Sequence, residues 1–175
     1  ATEMKGELFW KRSKEGIRFE SRKIDINNKS ISSQSRVLLD FPSDGSLPYL
    51  DLRLAFQNGV AARAGDYYPR GIMHQDVVSW LDSALIDGHV PGGGMLYRGR
   101  TSGFPFTREE GTFIVHFNVE NMTLDYQRGW PRAKDLSAEV LFKGPSLFVN
   151  VKKASVQGLE VLPSRIKIAN LGKKA

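Results

Sequence analysis

The chain has 175 residues, of which 41% are apolar and 25% charged, with no cysteine and a formal net charge of +6 at pH 7. This composition fits one folded unit and excludes disulfides and any site that needs a thiol. No stretch reaches the roughly 20 consecutive apolar residues of a membrane helix. Acidic residues interrupt most basic stretches, so we expect the excess positive charge to lie mainly on a solvated surface.

Strands are predicted in the first third of the chain. Shorter candidates cover residues 17–26 and 30–39. A clearer pattern follows, in which large apolar residues alternate with polar or small ones, and this period of two predicts a half-buried strand. Its apolar positions are Leu50, Leu52, Leu54 and Phe56.

One segment, residues 72–87, has helical rather than strand periodicity. Its apolar residues recur at the spacing of one helix face, which predicts a short amphipathic helix. Gly88 is expected to end this helix, because glycine tolerates the left-handed conformation just past a helix terminus. The glycines at 92–94 are expected to make a tight reversal into the next strand.

The second half of the chain again has a period of two. Residues 95–99 form a short candidate, and residues 112–120 alternate strictly, with Phe113, Val115, Phe117 and Val119 on one side. A turn at Glu120 and Asn121 is predicted to lead into a second strand at 122–126. Later candidates cover residues 136–142, where Leu136, Ala138, Val140 and Phe142 alternate with other residues, and 147–151, 156–161 and 166–168.

This order of elements predicts the fold class. Many strands with connections too short for crossover helices favour a mainly β, antiparallel meander over a doubly wound parallel fold. We expect residues 1–175 to form a single β-rich segment with one helix near 72–87.

No catalytic, metal or cofactor site is predicted. The histidines His74, His89 and His116 lack the spacing of a metal motif, and Asp87 with His89 supplies too few ligands. The glycines from 88 to 94 follow a predicted helix, whereas a phosphate-binding loop precedes one. Aromatic and basic residues do not interleave as in a nucleic-acid platform. We therefore expect a protein that is not an enzyme, holds no cofactor and binds no nucleic acid.

Several ordered motifs resemble one family. The chain is similar over most of its length to the large AsmA-like proteins of the YhdP type, in the region described as a domain of unknown function. The resemblance rests on Tyr67-Tyr68-Pro69, Trp80-Leu81-Asp82-Ser83-Ala84-Leu85, Gly88, Gly94-Met95-Leu96-Tyr97-Arg98-Gly99, Phe104-Pro105-Phe106, Leu124-Asp125-Tyr126 and Trp130-Pro131.

The resemblance implies a fold and a function. It implies a long, curved antiparallel sheet with an open groove, as in bridge-like lipid-transfer proteins, and a segment of a much larger envelope protein. It also implies phospholipid as ligand, neighbouring segments of the same protein as partners, and a periplasmic location with an inner-membrane anchor in a Gram-negative bacterium. The expected roles are lipid transport, outer-membrane biogenesis and membrane permeability, with no catalytic residues.

The apolar sides of the alternating strands are the candidate lipid-binding residues. Alternation alone favours an ordinary closed core over an open groove, and the family resemblance brings the two interpretations close to parity. The alternative function is therefore a structural or interaction scaffold of the envelope that has a closed core and does not contact lipid. The groove candidates are Leu50, Leu52, Leu54, Phe56, Phe113, Val115, Phe117, Val119, Val140 and Phe142.

Overall fold

One open antiparallel sheet of eleven strands dominates the computed structural model. The mainly β, antiparallel prediction is confirmed. The structure describes residues 2–68, 70, 75–108 and 110–171. The strands are β1 Glu3–Gly6, β2 Phe9–Ser13, β3 Gly16–Asn27, β4 Ser32–Pro42, β5 Tyr49–Val60, β6 Leu85–Arg100, β7 Thr112–Leu124, β8 Ala133–Lys143, β9 Ser146–Val156, β10 Leu159–Val161 and β11 Ser164–Ile168.

The long strands β3 to β9 pair with their neighbours in chain order, as a meander does. Each edge of the sheet consists of two short strands. β1 and β2 both pair with β3, and β10 and β11 both pair with β9. The sequence did not predict β1 or β2.

The sheet is a single layer. Within the described part of the chain, extensive packing between strands is confined to hydrogen-bonded neighbours. The solvent-accessible surface is 12053 Å², whereas a compact protein of this mass exposes about 8,600 Å². The excess area is what an uncovered sheet produces.

The predicted helix is shorter than residues 72–87. The helix α1 spans Gln75–Ala84, and Leu85 already begins β6. Residues 72–74 lie outside the described residues. Two short 3-10 helices cover Ala61–Asp66 and Thr101–Gly103. No helix within the described residues has the length and apolarity needed to cross a membrane.

The glycines from 88 to 94 do not end a helix or reverse the chain. They lie within the 16-residue strand β6, which pairs with β5 and β7 on its two sides. Gly88 has a φ of 139° inside this strand. Hydrogen bonds from both neighbouring strands therefore outweigh the turn preference of the glycine run.

The turn predicted at Glu120 and Asn121 is also wrong. β7 continues without a reversal to Leu124, and a shift in its register with β8 absorbs the irregularity. Asn121 takes a φ of 49°, which asparagine tolerates better than most residues. The polar pair therefore marks a bulge in one strand rather than a hairpin.

Candidate functional site

The two faces of the sheet differ in chemistry. Residues paired across neighbouring strands point to the same side. Leu52 pairs with Tyr97 and Tyr97 with Phe113, and the same reasoning along every ladder places all ten groove candidates on one side. We call this side the apolar face and the other the polar face. The role of the ten residues in lipid binding stays a prediction.

Two rows of residues cross the middle of the apolar face from β5 to β11, and we call them together the open band. Six strands at a spacing of about 4.8 Å make each row about 24 Å long. The first row is Leu54, Met95, Val115, Phe142, Leu147 and Ile168; the second is Phe56, Gly93, Phe117, Val140, Val149 and Ile166.

Aromatic rings form the floor of the open band. The ring centroid of Phe117 lies 6.5 Å from that of Phe56 and 6.4 Å from that of Phe142. Gly93 lies between Phe56 and Phe117. A Cβ atom at Gly93 would lie 2.5 Å from the Cβ of Phe117 and 2.6 Å from the Phe56 ring. The missing side chain therefore lets the Phe56 ring reach across β6.

One end of the apolar face is closed. Buried residues from β7, β8 and β9 form a small cluster there, which we call the end core, and Ala61 from the first 3-10 helix packs onto it. Its members on the sheet are Val119, Met122, Leu136, Ala138, Val151 and Ala154. Of the ten candidates, Val119 therefore belongs to a closed core, with 3% of its surface exposed.

Hydrogen bonds hold the helix α1, between β5 and β6, beside this end of the sheet. The indole Nε1 of Trp80 in α1 donates to the carbonyl of Tyr126 at 3.0 Å, and the amide of Asp125 donates to the carbonyl of Ala84 at 2.9 Å. Both contacts tie α1 to the loop after β7. Val78 is also buried, which gives the helix an anchored side.

Polar contacts stabilise the same segment internally. The Tyr68 hydroxyl donates to Asp82, and Arg70 donates to both oxygens of that carboxylate at 2.9 and 3.0 Å. Burial, together with the bond to Asp82, raises the pKa of Tyr68 to about 12. The Tyr68 bond and Arg70 hold the pKa of Asp82 below its usual value. The cluster therefore stays intact as a neutral phenol beside a paired carboxylate at neutral pH.

Aromatic residues close the opposite end of the apolar face. Phe106 is 7% exposed, and its ring centroid lies 5.1 Å from that of Tyr97. Phe104 packs edge-on against Phe113 at the same distance. We call these four residues the aromatic cap. Among the ten candidates, Phe113 belongs to the cap, while Leu50 and Leu52 pair with residues beside or within it.

Sequence reasoning missed the packing role of the cap. Phe106 fits only because three glycines surround its ring, since a Cβ at Gly99, Gly103 or Gly111 would lie 2.4 to 3.0 Å from it. The signal available in the sequence was this set of glycines around a Phe-Pro-Phe motif. Strand periodicity could not reveal it, because the ring comes from a loop.

The polar face carries ion pairs typical of a solvated surface. Arg18 donates to both carboxylate oxygens of Asp40, and Arg98 contacts Asp51 at 2.8 Å. Lys152 and Asn150 donate to Glu139 and hold the pKa of that carboxyl below its usual value. Such exposed pairs favour water on this side of the sheet.

The described residues do not bring His, Asp and Glu side chains together into a metal site. Within the described ranges, no group of three or more His, Asp or Glu side chains is arranged to hold a metal ion. Asp87 and His89, which supply too few ligands for a metal site, lie in β6. His89 lies 4.0 Å from Glu120 on the neighbouring strand.

Comparison with known proteins identifies the family. The family described as YhdP protein matches residues 1–175. The chain belongs to this family. The predicted resemblance to AsmA-like proteins of the YhdP type is thereby confirmed.

One similar YhdP relative has a named activity. It is the intermembrane phospholipid transporter YhdP of Escherichia coli (strain K12), which is 23% identical over 152 residues. The match covers 87% of this chain and 12% of the relative, so the chain spans about an eighth of that protein's length. No solved structure matches.

Proposed function

We propose that the open band holds the acyl chains of phospholipids, as part of a protein that moves phospholipid between the inner and outer membranes. The observation that carries the proposal is an apolar face over whose middle no described residue forms a second layer. Membership of the YhdP family supports phospholipid as the ligand.

Burial of methylene groups supplies enough free energy for this role. Each buried methylene contributes about 0.8 kcal/mol, so eight methylenes on the band would contribute about 6 kcal/mol. The two rows offer similar aliphatic and aromatic side chains on each successive strand. A chain that slides from one strand to the next therefore exchanges similar contacts, and no chemical step is required.

The closed ends favour a path that crosses the strands. The end core blocks the apolar face where β6 begins, and the aromatic cap blocks it where β6 ends. An acyl chain on the band would therefore lie across the strands, towards the sheet edges. The headgroup would remain in water, because burying an unpaired charge is costly.

Membership of the YhdP family also supports a proposal for the cellular location. We place the segment in the periplasm, within a full-length protein that is anchored in the inner membrane and continues the path through neighbouring segments. Its role in the transfer is non-enzymatic. The scaffold alternative, which needs a closed core, suits only the end core and the aromatic cap.

Two substitutions on one strand test the proposal. Val115 lies in the open band and its neighbour Ile114 lies on the polar face, and both are half-buried. We expect V115D to stay folded but to lose phospholipid that co-purifies with the wild type, measured by native mass spectrometry and lipid extraction. The variant I114D adds the same charge and should keep the lipid.

Two outcomes would contradict the proposal. If V115D unfolds while I114D remains folded, the middle of the apolar face is a closed core in solution. If the wild-type chain, expressed in a Gram-negative host, carries no phospholipid and takes up none from vesicles, the band does not hold acyl chains.

A further inference from the structure

The outer edge of β3 has a gap between its two partner strands. β1 pairs with residues 24–27 and β2 with residues 16–20, so among the described strands none covers residues 21–23 on that side. The register with β4 shifts between Ser21 and Ile24, which marks a bulge. Beside this bulge lies a cavity of about 370 Å³.

The cavity has an excess of positive charge. Three cations and two carboxylates line it: Lys5, Arg22 and Lys23, with Glu7 and Asp25. The carboxylate of Asp25 is already engaged, because Gln34 donates to it at 3.0 Å and Lys23 lies 3.2 Å away. Within the described residues, no carboxylate lies within ion-pair distance of Arg22 or Lys5. The hydrogen bonds from Gln34 and Lys23 lower the pKa of the Asp25 carboxyl, and so does the charge of Lys5, which lies opposite Asp25 on the neighbouring strand. Arg22 is therefore the cation most available to an anion, with Lys5 beside it and Glu7 opposing the binding.

Large apolar side chains surround the same edge. The Phe9 ring lines the cavity and is 56% exposed. Met4 and Trp10, each 69% exposed, pair with Ile26 and Phe19 and therefore lie on the apolar face. Lys5 alternates with Met4 along β1 and points to the opposite side. An amphiphile that crosses this edge would meet Met4 and Trp10 on the apolar face, and Phe9 with the cations Lys5 and Arg22 on the polar face.

We propose that this cavity binds the phosphate of a phospholipid headgroup while the acyl chains lie on the apolar face beside Met4 and Trp10. The inference rests on the proposed function and adds a headgroup site to it. The guanidinium of Arg22 offers paired N–H donors to phosphate oxygens, and Lys5 adds a mobile point charge. Free phosphate shares this chemistry but lacks the apolar part.

The experiment compares three ligands by calorimetry: dioctanoyl phosphatidylglycerol, dioctanoylglycerol without a phosphate, and inorganic phosphate. The test variant combines Lys5→Gln with Arg22→Gln. The opposite edge supplies a matched control, because Lys153 lies where β9 passes from β11 to β10 and Arg165 lies on β11. The control combines Lys153→Gln with Arg165→Gln and removes the same charge from exposed edge positions.

We expect the test variant to bind phosphatidylglycerol about tenfold more weakly than the wild type, with no change for dioctanoylglycerol. The control should leave both affinities unchanged. Equal losses in the two variants, or no loss in the test variant, would overturn the headgroup site. Inorganic phosphate that binds as tightly as phosphatidylglycerol would overturn the lipid assignment and leave a free-phosphate site.

The same titration separates this inference from the proposed function. If the wild type binds neither dioctanoyl ligand, the acyl-chain proposal fails. If it binds both with the same affinity, acyl chains are held and only the headgroup site is wrong.

Discussion

The open band and the end core lie on the same face of the sheet and share the strands β7, β8 and β9. Described residues from outside the sheet pack onto the end core but not onto the open band. Phe117 and Val119 are two residues apart in β7. Phe117 is only half-buried beside Phe56 and Phe142, whereas Val119 is 3% exposed beneath Ala61. The strand pattern is identical at both positions. What differs is the contact with the segment between β5 and β6, whose described residues pack at one end of the sheet and not over its middle.

The largest expected loss of stability comes from a substitution in the aromatic cap. Phe106→Ala removes a ring that is packed among three glycines, so the free energy of unfolding should fall by about 4 kcal/mol. The matched change in the open band, Phe142→Ala, should cost about 1 kcal/mol, because the ring is half-buried. Urea denaturation of both variants measures the difference. Equal losses would show that the band is as closed as the cap.

A smaller loss of stability is expected when a leucine is replaced by alanine, and this loss should differ between the end core and the open band. Leu136 is 8% exposed in the end core, whereas Leu54 is half-buried in the band. Leu136→Ala should lower the free energy of unfolding by about 3 kcal/mol and Leu54→Ala by about 1 kcal/mol. The midpoints of urea unfolding, compared at constant slope, check the ranking. A larger loss at Leu54 would reverse the assignment of the two regions.

The smallest effect is expected on the polar face. Arg98→Gln removes the contact with Asp51, but the Arg98 side chain is 47% exposed. Exposed ion pairs contribute little, so the free energy of unfolding should change by about 0.5 kcal/mol or less. Thermal unfolding at low and high salt measures it. A clearly larger loss would indicate that another layer covers this face in solution.

The long strands could be predicted from the sequence because each places mainly apolar residues on one side and mainly polar residues on the other. The ten candidates fall on one side of the sheet for this reason, since a period of two fixes the side on which each residue lies. The same rule cannot show which part of that side is covered. Whether a part of the apolar face is covered depends on contacts between residues distant in sequence. Examples are Ala61 packing onto the end core and the Phe106 ring packing onto Gly99.

Errors in the prediction fall where local preference and sheet pairing disagree. Glycines at 92–94 favour a turn in isolation, but β5 and β7 provide hydrogen bonds on both sides. Leu85 continues the helical pattern of α1, yet it pairs with Leu124 and begins a strand. The cavity at the edge of β3 was not predictable, because it depends on how β1 and β2 divide that edge between them.

The single-layer architecture has a thermodynamic consequence. A ligand that binds only the folded state stabilises it by mass action, by about 2.7 kcal/mol when its concentration is one hundred times its Kd. The central apolar rows of this sheet are at most half-buried, so a ligand that covered them would act as a second layer and add to the stability. Thermal stability would then report how fully the protein is loaded, and an emptied segment would unfold more readily than a filled one.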